Sequence, residues 1–233
     1  MKVIITGATK GIGRAIAEAF AKQGADIAIN SRTAADLDQF KADFAKAYPS
    51  VKVLCKTTDM RNKTEVLAFA DYIKSQWGTI DVLVNNAGVF IPGELSKEED
   101  GMLEQMMETN LYSAYHLTRA LLPLMHAHKK GHIFNICSIA SLIAYPNGGS
   151  YSISKFALLG FSKVLREELK EKNIKVTAIL PGATWSASWE GVDLPESRLM
   201  QAADVASAVL GAYQMGPSAV VEEVVVRPML GDL

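Results

Sequence analysis

Residues 6–13 read Thr6-Gly7-Ala8-Thr9-Lys10-Gly11-Ile12-Gly13, directly after the apolar run Val3–Thr6 and opening the helical stretch Gly13–Gln23. A glycine turn between a first strand and a first helix is a phosphate-binding device. Gly7 permits the tight turn, Gly11 lets the backbone approach a pyrophosphate, and Gly13 allows close helix–sheet packing. The helix then offers free N–H groups and a partial positive charge. The spacing is G-x-x-x-G-x-G, not G-x-G-x-x-G. A glycine turn by itself can be purely structural, so its weight comes from the flanking sequence.

Outward from this turn, short β-branched runs alternate with longer helical segments. Strands are expected at Val3–Thr6, Asp26–Asn30, Lys52–Thr57, Val82–Asn85, His132–Ser138, Lys175–Leu180 and Val220–Val226. Several are apolar throughout, as strands buried on both faces of a parallel sheet must be. Helices are expected at Ala34–Tyr48, Thr64–Trp77, Gly101–His128 and Tyr151–Lys172. The rhythm predicts an α/β fold of three layers, a doubly wound, mainly parallel seven-stranded sheet with helices on both faces. Residues 1–233 are expected to form a single domain. The stretch from about 182 to 199, with Trp185, Trp189, Gly191 and Pro195, breaks the rhythm and is expected to be a substrate lid.

Composition removes other classes. The formal charge of −1 argues against a nucleic-acid or anionic-membrane surface. No apolar run approaches the roughly 20 residues that cross a bilayer. The N-terminal apolar run ends in the glycine turn too soon for a signal peptide, so a cytoplasmic location is expected. Cys55 and Cys137 are too few for a disulfide framework, and His116, His126, His128 and His132 lack metal-site spacing. No metal is expected.

The second strand leads into Ser31-Arg32, with no Asp or Glu between 29 and 33. An acid there binds a ribose 2′-hydroxyl, whereas Arg accepts a 2′-phosphate. Arg32, with Ser31 and Lys10, therefore points to NADP(H) over NAD(H). Ser138 ends the fifth strand, and Tyr151-Ser152-Ile153-Ser154-Lys155 opens a helix thirteen residues later. Tyr151 and Lys155, at i and i+4, share a helix face. A free phenol titrates near pH 10, and a neighbouring ammonium favours its phenolate. Ser138 can hold a substrate oxygen by hydrogen bond. Asn110 lies inside a helical stretch where Asn needs a reason. Asn85-Asn86-Ala87-Gly88 and Pro181-Gly182 follow the fourth and sixth strands, where ligands of open α/β sheets bind.

In that order and spacing, these motifs resemble the short-chain dehydrogenase/reductase family across essentially the whole chain, which implies a Rossmann fold. The resemblance implies that Tyr151 is the acid/base, and that Lys155 lowers its pKa and binds the nicotinamide ribose. It implies that Ser138 positions a carbonyl and that Asn110 holds a water linking Lys155 to solvent. By the same carry-over Asp59 and Met60 contact adenine, Asn86, Ala87 and Gly88 line the cofactor, Ile12 lies near the phosphates with Thr9, and Pro181, Gly182 and Thr184 hold the carboxamide or pyrophosphate side. The segment after the second strand, the Trp189 lid and the ending Val221–Pro228 resemble bacterial sepiapterin-reductase-like members and chains described as 3-oxoacyl reductases.

Phe90, Tyr145, Trp185 and Trp189 are the expected apolar walls of the substrate site, suited to a flat or aliphatic carbonyl or alcohol. An apolar stripe of Met102, Leu103, Met106, Met107, Leu111 and Tyr115, with the family's habit of pairing its fifth and sixth helices, implies a homodimer or homotetramer. The competing expectation is a catalytically silent dinucleotide sensor or interaction protein on the same fold.

Overall fold

The computed structural model describes residues 1–128, 130–185 and 195–232. Seven strands form one sheet in the order β3-β2-β1-β4-β5-β6-β7, and every pairing is parallel. They are β1 (Lys2–Ile5), β2 (Asp26–Ser31), β3 (Val53–Thr57), β4 (Val82–Asn85), β5 (Gly131–Ile136), β6 (Ile174–Pro181) and β7 (Glu223–Val226). The helices are α1 (Gly11–Ala21), α2 (Ala34–Ala47), α3 (Lys63–Gln76), α4 (Met102–Met107), α5 (Ser113–His128), α6 (Gly149–Leu169) and α7 (Ala202–Tyr213). The fold is the doubly wound, Rossmann-like sheet that the strand–helix rhythm predicts.

Strand alternation explains why both sheet faces are apolar. In β1, Val3 and Ile5 join a core built with Ile16 and Phe20 of α1, Phe40 of α2 and Val205 of α7. Ile4 between them points to the opposite core, with Phe69 of α3, Leu117 of α5 and Leu165 of α6. A fully buried side chain of this size contributes about 1.5–3 kcal/mol, so the two cores hold the layers in register.

Two sequence expectations need correction. The helix expected over Gly101–His128 is α4, then a π-helical turn at Glu108–Tyr112, then α5. The extra residue per turn lets Asn110 face the loop after β4, a π-bulge use common at functional sites. The strand expected to run to Ser138 leaves the ladder after Ile136, because Ser138 instead caps a short 3-10 turn over Ile139–Ser141. Trp189 and Gly191, and most of the expected lid, lie outside the described residues.

The strand order reverses between β1 and β4, and the carboxyl ends of β1, β4, β5 and β6 open on one side. That crevice is where ligands of such sheets bind.

Candidate active site

The glycine turn is braced from β4. The Thr6 hydroxyl accepts the amide N–H groups of Asn86 (3.0 Å) and Ala87 (2.9 Å), and Asn86 Nδ2 donates to the carbonyls of Thr6 and Gly7. A Cβ on residue 13 would stand 2.5 Å from Asn86 Nδ2 and 2.7 Å from the Gly7 oxygen, so only glycine lets α1 start here. Gly7 and Gly11 have φ of 62° and 58°, the region that favours glycine. No side chain caps the first turn of α1 and no acid lies in it. A Cβ on Gly11 would meet nothing within 4 Å. These open N–H groups and clear backbone fit a pyrophosphate.

Ser31 pairs with Thr57 in the sheet register, which sets the ends of β2 and β3 side by side. Arg32 is exposed there and Lys10 is exposed at the start of α1. Asp59 follows β3, and its carboxyl is held below the usual range first by its hydrogen bonds from Arg61, with smaller help from the Arg32 charge. Arg61 grips it through Nη2 at 2.6 Å. Met60 differs from expectation: its side chain is buried in the core beneath α3, so only its backbone remains to meet a ligand.

A cavity of about 650 Å³ occupies the crevice. It brings Ile12, Asn86, Gly88, Phe90, Ser138, Tyr145, Tyr151, Lys155, Pro181, Gly182 and Thr184 to one space. Asn110 lies just behind it: a Cβ on Gly88 would stand 3.3 Å from Asn110 Oδ1 and 3.5 Å from Lys155 Nζ. Asn110 Oδ1 accepts the Val89 N–H (2.8 Å), while its Nδ2 donates to the Val89 carbonyl (3.0 Å) and to Ser154 Oγ (2.8 Å). One side chain thus ties the β4 loop to α6. Trp185 is half-buried beside the short pairing of Thr184 with Met200 and does not line the cavity wall.

Lys155 Nζ donates to the Ile136 carbonyl (2.9 Å) and lies 5.8 Å from the Tyr151 ring centroid. Burial lowers its pKa to about 8. Tyr151 hydrogen-bonds Ser138, which favours the phenolate, but burial outweighs this and holds the phenol above its ordinary value. The lowering expected from the Lys155 ammonium together with an oxidised nicotinamide is therefore opposed, among the protein's own groups, by desolvation of the phenol. Phe90 meets the Tyr151 ring edge-on at 4.8 Å. The Tyr145 phenol is pushed up to about 12, first by burial and then by Tyr151 and Asp232.

Among the cavity residues that sequence reasoning missed are two charged ones near the end of the chain, Arg227 and Asp232. Asp232 accepts the Ala183 N–H (2.9 Å) and pairs with Arg227 Nε (2.6 Å). Its Oδ1 would lie 2.1 Å from a Cβ on Gly182, so the Pro-Gly turn makes room for this carboxylate. No local pattern announces a tail residue that folds back over a strand end; the Pro-Gly turn was the only trace. Among the described residues no group of three His, Cys, Asp or Glu side chains could hold a metal, and no helix is long and apolar enough to cross a membrane.

A glycine turn at the switch point, with serine, tyrosine and lysine around one cavity, defines a Rossmann-like α/β protein with titratable groups beside the crevice at its strand ends. The family model for short chain dehydrogenases matches residues 1–195, and the chain belongs to that family of oxidoreductases, which act on CH–OH and C=O groups. It is 35% identical to a sepiapterin reductase of Chlorobaculum tepidum, covering 99% of this chain and 97% of that one. Its structure resembles L-sorbose reductase from Gluconobacter frateurii complexed with NADPH and L-sorbose (TM-score 0.88, 28% identity, 97% and 94% coverage). It also resembles a 7α-hydroxysteroid dehydrogenase complexed with NADH and 7-oxo glycochenodeoxycholic acid (TM-score 0.88, 29% identity, 99% and 94% coverage).

Proposed function

We propose that this protein is an NADP(H)-dependent oxidoreductase that interconverts a small-molecule carbonyl and its alcohol. The observation that carries the reading is the meeting of Ser138, Tyr151 and Lys155 at one cavity beside an uncapped helix N-terminus. A bound nicotinamide supplies the hydride donor or acceptor. In reduction Tyr151 gives its phenolic proton to the carbonyl oxygen, and in oxidation it takes one back. Ser138 donates a hydrogen bond to the same oxygen and meets the charge that develops there. Lys155 holds the ribose and favours the phenolate, and Asn110 keeps the β4 loop and α6 together beside it. Ile12, Thr9 and the glycine turn hold the phosphates, Asp59 and the Met60 backbone the adenine, and Thr184 the carboxamide side.

NADP(H) is favoured by Arg32 and Ser31 with no acid at the end of β2. The cavity walls, Phe90, Ile143 and Tyr145 among them, and the sepiapterin reductase relative favour a flat or aliphatic carbonyl such as a pterin or ketone. Residues 1–233 form one cytoplasmic catalytic unit in this reading. Leu103, Tyr112 and Tyr115 near α5, and Ile153, Phe156 and Val164 on α6, stay exposed, which supports a dimer or tetramer formed through these helices.

The test is NADPH oxidation against pterins, diketones, 3-oxoacyl thioesters and aliphatic ketones. Tyr151→Phe is expected to lower turnover by about 100-fold or more while NADPH still binds. Binding without turnover of any carbonyl by the unaltered protein would favour the silent sensor instead. Arg32→Asp is expected to shift the NADPH-to-NADH preference by about 10-fold or more, the loss of one charge-assisted contact. An unchanged ratio refutes the phosphate assignment.

A further inference from the structure

The helix that carries Tyr151 starts without a cap of its own. Its N-cap is Gly148 and its first residue Gly149, and neither has a side chain to accept the amide protons of the first turn. The cap comes from far along the chain. Glu98 Oε1 accepts the Ser150 N–H at 2.9 Å, and Glu98 Oε2 accepts the Ser150 hydroxyl. The accepted amide is the second of the helix, one of those an ordinary N-cap side chain would bind.

The backbone around this contact is shaped to admit the carboxylate. A Cβ on residue 149 would stand 1.9 Å from Glu98 Oε1, and one on residue 93 would stand 2.8 Å from Glu98 Cγ. The Gly93 N–H donates to the Asn147 carbonyl at 3.0 Å, and Gly93 and Gly148 form an isolated parallel bridge. The loop that follows β4 is therefore fastened at two places, through Gly93 to the segment before α6 and through Glu98 to the first turn of α6. The same loop carries Phe90, which rests edge-on against the Tyr151 ring.

We propose that Glu98 is a positioning residue for the reaction: by capping the catalytic helix from the β4 loop it sets Tyr151 and the Phe90 wall against each other. The inference rests on the reading of Tyr151 as the acid–base group. Glu98 itself is absent from the main cavity lining, so it acts through the first turn of α6. Misplacement of a reacting group by about 1 Å can cost on the order of 100-fold in rate.

The test uses the full chain with NADPH and any carbonyl that the unaltered protein reduces. Glu98→Ala is expected to lower kcat about 10–100-fold, while the NADPH dissociation constant, read by cofactor fluorescence, changes by less than about 3-fold. Glu98→Gln should restore most of the loss, because an amide can accept from the Ser150 N–H and donate to its hydroxyl. Gly93→Ala should reproduce the defect in the native background and add nothing on top of Glu98→Ala, the mark of two residues acting through one contact. Full kcat in Glu98→Ala, no rescue by Gln, or independent multiplication of the two defects overturns the proposal. Hydrogen exchange in the cofactor-free protein separates this from the functional reading. Glu98→Ala should speed exchange at residues 89–95 and at Ser150 whether or not any carbonyl is turned over, and unchanged exchange there also overturns it.

Discussion

Lys155 shows how the site trades stability for chemistry. Its ammonium is fully buried and its pKa falls from 10.5 to about 8, which corresponds to about 3 kcal/mol of unfavourable burial at neutral pH. The sign follows from proton counting. Between about pH 8 and 10.5 the unfolded chain holds a proton that the native chain has lost, so stability rises with pH across that window. Below pH 8 the cost is complete. Lys155→Met, which keeps the length of the stem, is expected to abolish turnover yet stabilise the fold by about 1–3 kcal/mol at pH 7, net of the bond lost to the Ile136 carbonyl. Urea unfolding measures this, and the gap between the two proteins should narrow as the pH approaches 10.5. A Lys155→Met protein less stable than its parent at pH 7 contradicts the argument. The Tyr-x-x-x-Lys spacing was legible in the sequence, since helical periodicity alone puts both on one face. The burial that raises the phenol and lowers the lysine was not, because it depends on β5 and the β4 loop closing over them.

At the scale of elements, the π turn at Glu108–Tyr112 and the β4 loop work as one joint. Sequence reasoning flagged Asn110 as out of place in a helix but read the stretch as one continuous helix. A π turn differs from an α turn by one residue, a difference that propensity does not encode. It exists here because Asn110 must satisfy both backbone groups of Val89 as well as Ser154. Asn110→Ala removes the partner of the Val89 N–H and carbonyl in a partly buried place, while Ser154 keeps its bond to the Tyr151 carbonyl. The expected loss is about 2–3 kcal/mol of unfolding free energy, read from the shift in urea midpoint, together with reduced turnover as the β4 loop loosens from α6. A midpoint within experimental error of the unaltered protein would show that the joint is held elsewhere.

For the whole molecule, acid stability is expected to be governed by a residue far from the cavity. His132 on β5 is buried, stacked on Phe134 at 3.9 Å, with Nε2 2.7 Å from Thr177 Oγ1. The Thr177 hydroxyl gives its proton to the Val221 carbonyl, so the Nε2 atom is the donor to threonine. Burial pushes the imidazole pKa down to about 3. Below pH 6.5 the unfolded chain binds a proton that the native core refuses, so stability is complete above pH 6.5 and falls as the pH drops toward 3. At pH 5 this amounts to about 2 kcal/mol. In His132→Gln, the unfolding free energy should change by that much less between pH 7 and pH 5, with little effect on turnover. An unaltered acid limb would assign it to carboxylates instead.

Local sequence pattern was enough to place the strand–helix alternation, the parallel sheet and the glycine turn after β1. It did so because both faces of the sheet's centre are buried, which makes strands such as β1 and β4 largely apolar, and because positive φ and a close backbone approach leave only glycine. Several strand boundaries were off by one or a few residues, and β4 matched in full, since a strand's end is set by the next cap or turn. The folding of Asp232 back onto Gly182, the turn of Met60 into the core and the capping of α6 by Glu98 came to light in the folded chain alone. Each of these is a contact between residues dozens of positions apart, and no local period or propensity carries such information. The glycine turn at residues 6–13 was readable for the converse reason: its positive φ angles and glycine spacing lie within eight consecutive residues, while Asn30, Asn86 and Ala87 come from afar to brace it.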